Sequence, residues 1–555
     1  MTSRPTRAAA AIALGLALSP LVGAVPAAAQ TSPGLPTEVA LVVPLTVPAG
    51  TSGLVSAELL ENYTSEFGLL TRSLNQVDGR PVTIAVDPMI IASIRVLGTA
   101  APESAVLWLE RLAALPNETF ALSWADSNLT LGLDAGSPAV LAPESLGFAI
   151  DPTRFGAAEV EPTGDPSATP SATPEPDDSA PPPLPTTESL LEWAYALPSV
   201  GWPAADSVSA STLSVLGATY EHTLISSDNL ADFTGLTATA TVGDSSVIVA
   251  DSSLSSLFGT TVESSSDSAW EAAVATLTTA IAGEATQPSA DSAVLTLDRS
   301  IALTDLDLGA TIDAIDAIPS VQLVGLSAVA DNTGPTATVV DGEQDAASID
   351  TVAGLLTVEG LDAEFAQIAD DPSRVTSERR LDLLATLSNS WTDNAAGWAE
   401  AVSDYRAASS ALRGSVKIIK SSSITLWADR GSLPVIVENN LDQPVTVFIT
   451  VRALTPLIRV EDSFFEFVVE PNSQRKAPVP VQSISNGVVE LEIALHGATG
   501  QQIGNTTYVR TTVQAGWETP FTIGVGIVVV LIFAAGVVRT IVRLRRARAK
   551  RITIA

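Results

Sequence analysis

EVALVV, residues 38–43, reads as a strand ended by Pro44, and VTIAV, residues 82–86, as one terminated by Asp87-Pro88. Short unbroken runs of Val, Ile, Leu and Ala suit strands buried on both faces, the condition of a parallel sheet. Between them, residues 57–77 place Leu59, Leu60, Tyr63, Phe67, Leu70 and Leu74 at helical spacings of three and four. The alternation continues outward. Helical pattern resumes from Met89, residues 103–114 are amphipathic around Leu107, Trp108 and Leu112, and residues 119–123 read as strand. Further strands are expected at 197–202, 222–226, 246–250, 293–297 and 321–324, with helices at 209–216 and 267–281. Roughly eight β units separated by helical pattern predict a parallel sheet, most economically closed into a (β/α) barrel-like domain over residues 38–340. An open doubly wound sheet is the alternative. No Gly-rich phosphate loop follows any strand, so nucleotide binding has no sequence basis.

Residues 161–187 interrupt the rhythm with nine Pro and a tandem SATP at 167–170 and 171–174. Such a stretch reads as a solvated tether inserted in a surface loop. From 346 to 413 the pattern is helical throughout, with Trp391, Trp398 and Tyr405 at intervals of seven, a spacing expected of a core stripe in a small helical module. From 416 to 513 the period becomes two. Seven short strands are expected, at 424–427, 433–438, 445–451, 464–469, 474–481, 487–495 and 507–513. Seven strands in about 100 residues predict an immunoglobulin-like β-sandwich.

Both ends carry targeting patterns. Arg4 and Arg7, the apolar run 8–18 and the small residues Ala27-Ala28-Ala29 form a signal peptide pattern over residues 1–29, too short in its apolar part to span a bilayer. Residues 519–538 are uncharged, with Trp517 at their outer edge, and predict one transmembrane helix. Seven bases follow in the tail 539–555, which the positive-inside rule places in the cytoplasm. The expected location is the cell membrane, with one span and an extracellular ectodomain.

All 62 acidic residues lie between Glu38 and Glu518, where only 19 of the 28 bases are found. That surface repels phosphate, so nucleic acid is not an expected partner. A salt-adapted organism is a second source of such acidity. With no Cys and only His222 and His496, disulfides, thiolate metal sites and multi-histidine centres are excluded. No metal or other cofactor is implied.

In a parallel barrel, chemistry sits at the carboxyl ends of strands. Asp87, Asp126, Asp251 and Asp298 fall there, and two carboxylates with separated pKa values are the minimum for glycoside hydrolysis. The same residues suit helix N-capping, most plainly at Asp87-Pro88 and Asp251-Ser252. His222 opens a strand, at the wrong end of a barrel, and His496 reads as a turn residue.

The order of signal peptide, VALVVPLTVPAG, VTIAVDPMI, the Trp202-Pro203 step, residues 293–298, LPVIVENNLDQPVTVFITV, WETPFTIGVGIVVV and basic tail carries a resemblance. It is similar to a family of uncharacterised exported single-pass proteins of high-GC Gram-positive bacteria, often encoded beside the lipid II flippase. The barrel resembles, more remotely, polysaccharide deacetylases and related glycoside hydrolases. It departs from them where Pro44-Leu45 replaces an Asp pair, where the two-His metal motif is missing, and where Trp202-Pro203 replaces a Glu nucleophile. The resemblance implies a non-catalytic envelope protein, binding glycan or a membrane partner near cell-wall synthesis. The alternative is a metal-independent glycan hydrolase using strand-end carboxylates such as Asp251 and Asp298.

Overall fold

The first buried run becomes a strand because every residue from Val39 to Leu45 finds cover on both faces. The protein is known from a computed structural model that describes residues 36–155 and 183–549, apart from 232, 234–235, 288–289, 300–306, 343, 421–422, 429 and 515–517. The signal peptide pattern, most of the Pro-rich tether, Trp517 and the last residues of the tail lie outside the described residues.

The N-terminal part is a curled, mostly parallel sheet wrapped by helices. Its strands are β1 (Thr37–Leu45), β2 (Thr83–Val86), β3 (Thr119–Ala121), β4 (Val200–Gly201), β5 (His222–Ser226), β7 (Thr239–Val242), β8 (Ser245–Ala250), β9 (Ser292–Thr296) and β10 (Val321–Val324). A separate two-stranded ladder pairs β6 (Leu230–Ala231) with β11 (Thr338–Val339). The main order is β3-β2-β1-β9-β8-β5-β4, with β10 beside the first half of β1. A single parallel bridge from Phe120 to Leu197 ties the β3 edge to the chain entering β4. The strands expected at 222–226 and 321–324 have those bounds.

Several expectations are corrected. β1 does not end at Pro44: its ladder with β9 stops at Val42, so the missing Pro44 N–H costs no bond on that side. The stretch 57–77 is two helices, Ala57–Thr64 and Leu69–Val77, parted at Gly68, where a side chain would strike the Tyr63 carbonyl. β7 was not expected; it forms an antiparallel hairpin with β8 through Gly243-Asp244, with Gly243 at φ 58°.

The helical module has three helices, Ala346–Ala366, Pro372–Thr386 and Ala395–Arg413. The aromatic stripe is broken, because Trp391 ends a short turn (Asn389–Trp391) before Asn394 caps the third helix. Its parts still face the middle helix: Trp391 and Trp398 donate to the Ala385 and Thr386 carbonyls. The module joins two cores. Leu381, Leu384 and Ala385 pack with the curled sheet, whereas Phe365 and Ile368 pack with the C-terminal strands.

Among the described residues those strands number nine, where seven were expected. One sheet is β12 (Val416–Ile419), β14 (Arg430–Asn439), β18 (Ser473–Ser483) and β16 (Ile458–Val460). The other is β13 (Ile424–Leu426), β20 (Gln502–Val513), β19 (Gly487–His496), β15 (Val445–Ala453) and β17 (Phe464–Val469). Inward residues of both sheets, Val435 and Val437 with Val447 and Ile449, share one core. Helix Glu518–Ala549 follows and outlasts the expected span, since the Arg-rich segment continues its turns. From Phe521 to Arg546 it is long and apolar enough to cross a membrane.

Candidate functional site

The carboxyl ends of β4, β5, β8 and β9 open on a cleft of about 610 Å³. Ser226, Ala250 and Thr296, the last residues of three of those strands, form part of its wall. Trp202, Asp206, Asp228, Glu263, Asp298 and Asn389 contribute the larger polar and aromatic groups. Ser252 donates to Asp228 at 2.8 Å, so hydroxyl and carboxylate groups alternate along one wall. Asp206 has its carboxyl raised by partial burial and by the charge of Asp228.

The four strand-end carboxylates divide. Asp87 is 1% exposed and caps helix Pro88–Val96. Its Oδ1 accepts from the Met89 N–H at 2.9 Å and the Ala125 N–H at 3.0 Å. Burial pushes its pKa well above the carboxylate range, the Met89 bond opposes, the Asp126 charge adds, and the Ala125 bond opposes. Asp126 is equally buried and lies in a turn where Ala125 (φ 55°) and Asp126 (φ 47°) are both left-handed. Its Oδ1 accepts from Arg299 Nη1 at 2.9 Å and from Asn389 Nδ2 at 3.2 Å. Burial still leaves its pKa raised, against the opposing pull of Arg299. Asp251 caps helix Ser252–Val262 through the Leu254 N–H and borders a separate small gap beside Phe233 and Val294. Asp298 alone of the four is a wall residue of the cleft.

Sequence reasoning missed Arg299 and Asn389. Arg299 is 8% exposed, donates to the carbonyls of Trp202 and Pro203 at 2.8 and 2.7 Å, and lies 4.6 Å from the centre of the indole of Trp202. It thereby ties the turns after β3, β4 and β9 together at the cleft edge. One signal was visible: a base beside a strand-end Asp in a stretch with few bases. Among the described residues, no group of three or more His, Asp or Glu could hold a metal ion.

The Asp87 bonds give a test. Asp87→Ala leaves two buried N–H groups unpaired and is expected to cost about 2–4 kcal/mol. Asp87→Asn keeps an acceptor for both and removes the buried charge. A folded-state pKa above the unfolded one means that ionisation costs stability increasingly as pH rises between them. Asp87→Asn is therefore expected to gain on the parent as pH rises above about 4 in urea unfolding. A parent that gains on Asp87→Asn over that range would contradict the assignment.

Residues 24–549 match DUF6049, a family of unknown function. The chain belongs to this family. No curated protein matches it. Among solved structures, the α-amylase AmyC of Thermotoga maritima is similar at 10% identity and TM-score 0.42, covering 68% of this chain and 93% of that one. WR4, a C. elegans MSP family member, is similar at 12% identity and TM-score 0.14, over 18% of this family member and 98% of WR4. The Escherichia coli α2-macroglobulin portion from domain MG7 onward matches at 15% identity and TM-score 0.15, covering 18% and 16% of the two chains.

Proposed function

We propose that this protein is an exported, membrane-anchored component of the cell envelope whose cleft binds glycan without turning it over. The curled sheet is read here as a (β/α) barrel and the paired C-terminal sheets as an immunoglobulin-like sandwich. The observation that carries the proposal is the division of the carboxylates. Asp87 and Asp126 are buried in capping and ion-pair duties and Asp251 caps a helix away from the cleft, which Trp202, several hydroxyls and Asp298 line. The indole of Trp202, with Arg299 over one face, stands among hydrogen-bonding groups, a setting that suits the apolar face and hydroxyl edge of a sugar on its remaining surface. The helix from Phe521 to Arg546 supports anchoring, and the basic segment at its end supports a cytoplasmic tail.

Calorimetric titration of the ectodomain with cell-wall glycan fragments tests this reading. Binding is expected, with Asp298→Asn weakening it about tenfold, or about 1.4 kcal/mol. Product formation from the same fragments is not expected. The Asp206–Asp228 pair favours a second reading, metal-independent hydrolysis, because two carboxyl groups facing one cleft, with that of Asp206 raised, are a starting kit for acid–base work. Turnover that persists in chelator and disappears in Asp206→Asn or Asp298→Asn would establish it. Capture of an envelope membrane protein without glycan affinity would move the binding role away from the cleft.

A further inference from the structure

The two ends of the C-terminal sheets differ in kind. At one end the helical module is stitched on: Thr446 donates to the Ile368 carbonyl, Asp370 to the Pro444 carbonyl, and Gln501 to the Glu364 carbonyl. The opposite end is where the chain leaves for the apolar helix. There β20 ends at Val513, paired with Leu426 of β13 and Gly487 of β19, and Gln514 donates to the Leu426 carbonyl.

That exit end is unusually apolar. Among the described residues, six large apolar side chains are exposed on these strands and their turns, and four lie there: Trp427 (72%), Val488 (58%), Ile484 (52%) and Leu454 (45%). Trp427 directly follows Leu426, Val488 follows Gly487, Ile484 donates its N–H to the Leu457 carbonyl, and Leu454 donates to the Glu490 carbonyl. Two exposed arginines, Arg430 and Arg459, flank the same rim, both in register with Gln482 of β18. Three connections, β13–β14, β15–β16 and β18–β19, therefore gather these apolar side chains at one end of the sheets, beside Arg459 and the Arg430–Glu461 pair.

We infer that this rim seats in the lipid–water interface of the bilayer that holds the helix. The inference rests on the membrane-anchor reading above. Chain length supports it. Four residues separate Val513 from Glu518, and extended chain covers at most about 18 Å over that step. The rim is thus tethered within reach of the headgroups. Its composition fits that layer, where Trp is enriched and Arg keeps its charge in water while its stem lies on apolar surface. No other partner needs to be invoked to cover these side chains. Seated in this way, β18 of 11 residues would hold the module roughly 35 Å above the membrane.

The chain has no Cys, so a single introduced thiol gives a unique probe. Full-length protein in vesicles is labelled with a fluorophore at Ile484→Cys on the rim, at Ala498→Cys at the module end, or at Val529→Cys in the helix. Brominated lipid quenches only labels at membrane depth. The inference expects the labels at 484 and 529 to lose most of their emission and the label at 498 to keep it. Adding Trp427→Asp and Val488→Asp is expected to restore emission at 484 and leave 529 quenched. Emission preserved at 484 while 529 is quenched overturns the inference and leaves the anchor in place. Emission preserved at all three sites overturns the anchor reading, and this inference with it.

Discussion

Arg299→Met is expected to destabilise the ectodomain by about 3–5 kcal/mol, the range for removing one partner of a buried ion pair. Asp126 is 1% exposed, and its Oδ1 would retain the Asn389 bond but no opposing charge from Arg299. The carbonyls of Trp202 and Pro203 would lose their donors at the same time. Adding Asp126→Asn is expected to recover much of the loss, because no charge then stays buried. The pH dependence follows from the raised Asp126 pKa. Without Arg299 its ionisation becomes costlier still, so the defect grows as pH rises from the carboxylate range toward neutrality. Urea unfolding of the two single variants and the double variant measures the coupling. A single-variant cost under about 1 kcal/mol would mean that the turns after β3, β4 and β9 hold one another without this fork.

That ion pair marks the limit of what the sequence discloses. Strand-end position selects Asp87, Asp126, Asp251 and Asp298, yet capping geometry decides which of them a ligand can meet. The partners of Asp126 lie 173 and 263 residues away, Arg299 just after the central strand β9 and Asn389 in the helical module. No local spacing encodes such a meeting. Cleft residues Asp206 and Asp228 were invisible for a related reason, since each sits in a turn whose composition is ordinary.

Elements were legible where burial alone dictates the pattern. β5 is a buried stretch bounded by turn residues, and the period-two alternation of β10, β14, β15 and β19 shows which residues point inward. Short pairings were not legible. β4 is two residues long and exists because β5 lies beside it. β16 gains its place from β18, and β7 needed only the Gly243-Asp244 turn to be noticed.

Arg379→Met is expected to cost about 3 kcal/mol and to split the unfolding of the ectodomain into two transitions. Arg379 is 6% exposed and stands among helices Ala346–Ala366, Pro372–Thr386 and Ala395–Arg413. It reaches Asp362 at 3.3 Å, Asp382 at 2.9 Å, the Tyr405 carbonyl at 3.0 Å and Ser409 at 2.9 Å, with its guanidinium 3.9 Å from the Tyr405 ring centre. Asp362 would keep Arg413 at 3.4 Å and the Ser409 hydroxyl, which places the loss at the lower end of the range. Asp382 also accepts from the Gly53 N–H, so the cluster borders the contact with the curled sheet. Because the middle helix feeds the core of the curled sheet while the first and third reach the C-terminal core through Phe365 and Leu412, loosening the cluster that joins them removes the coupling through which the sheets unfold together. Arg379→Lys is not expected to rescue, since one ammonium cannot reproduce a planar fork bonded to four acceptors and stacked on an aromatic ring. Scanning calorimetry of the parent and both variants reads the outcome. A single, unshifted transition in Arg379→Met would show that side-chain packing across Leu381, Leu384 and Phe365 couples the halves without the charge cluster.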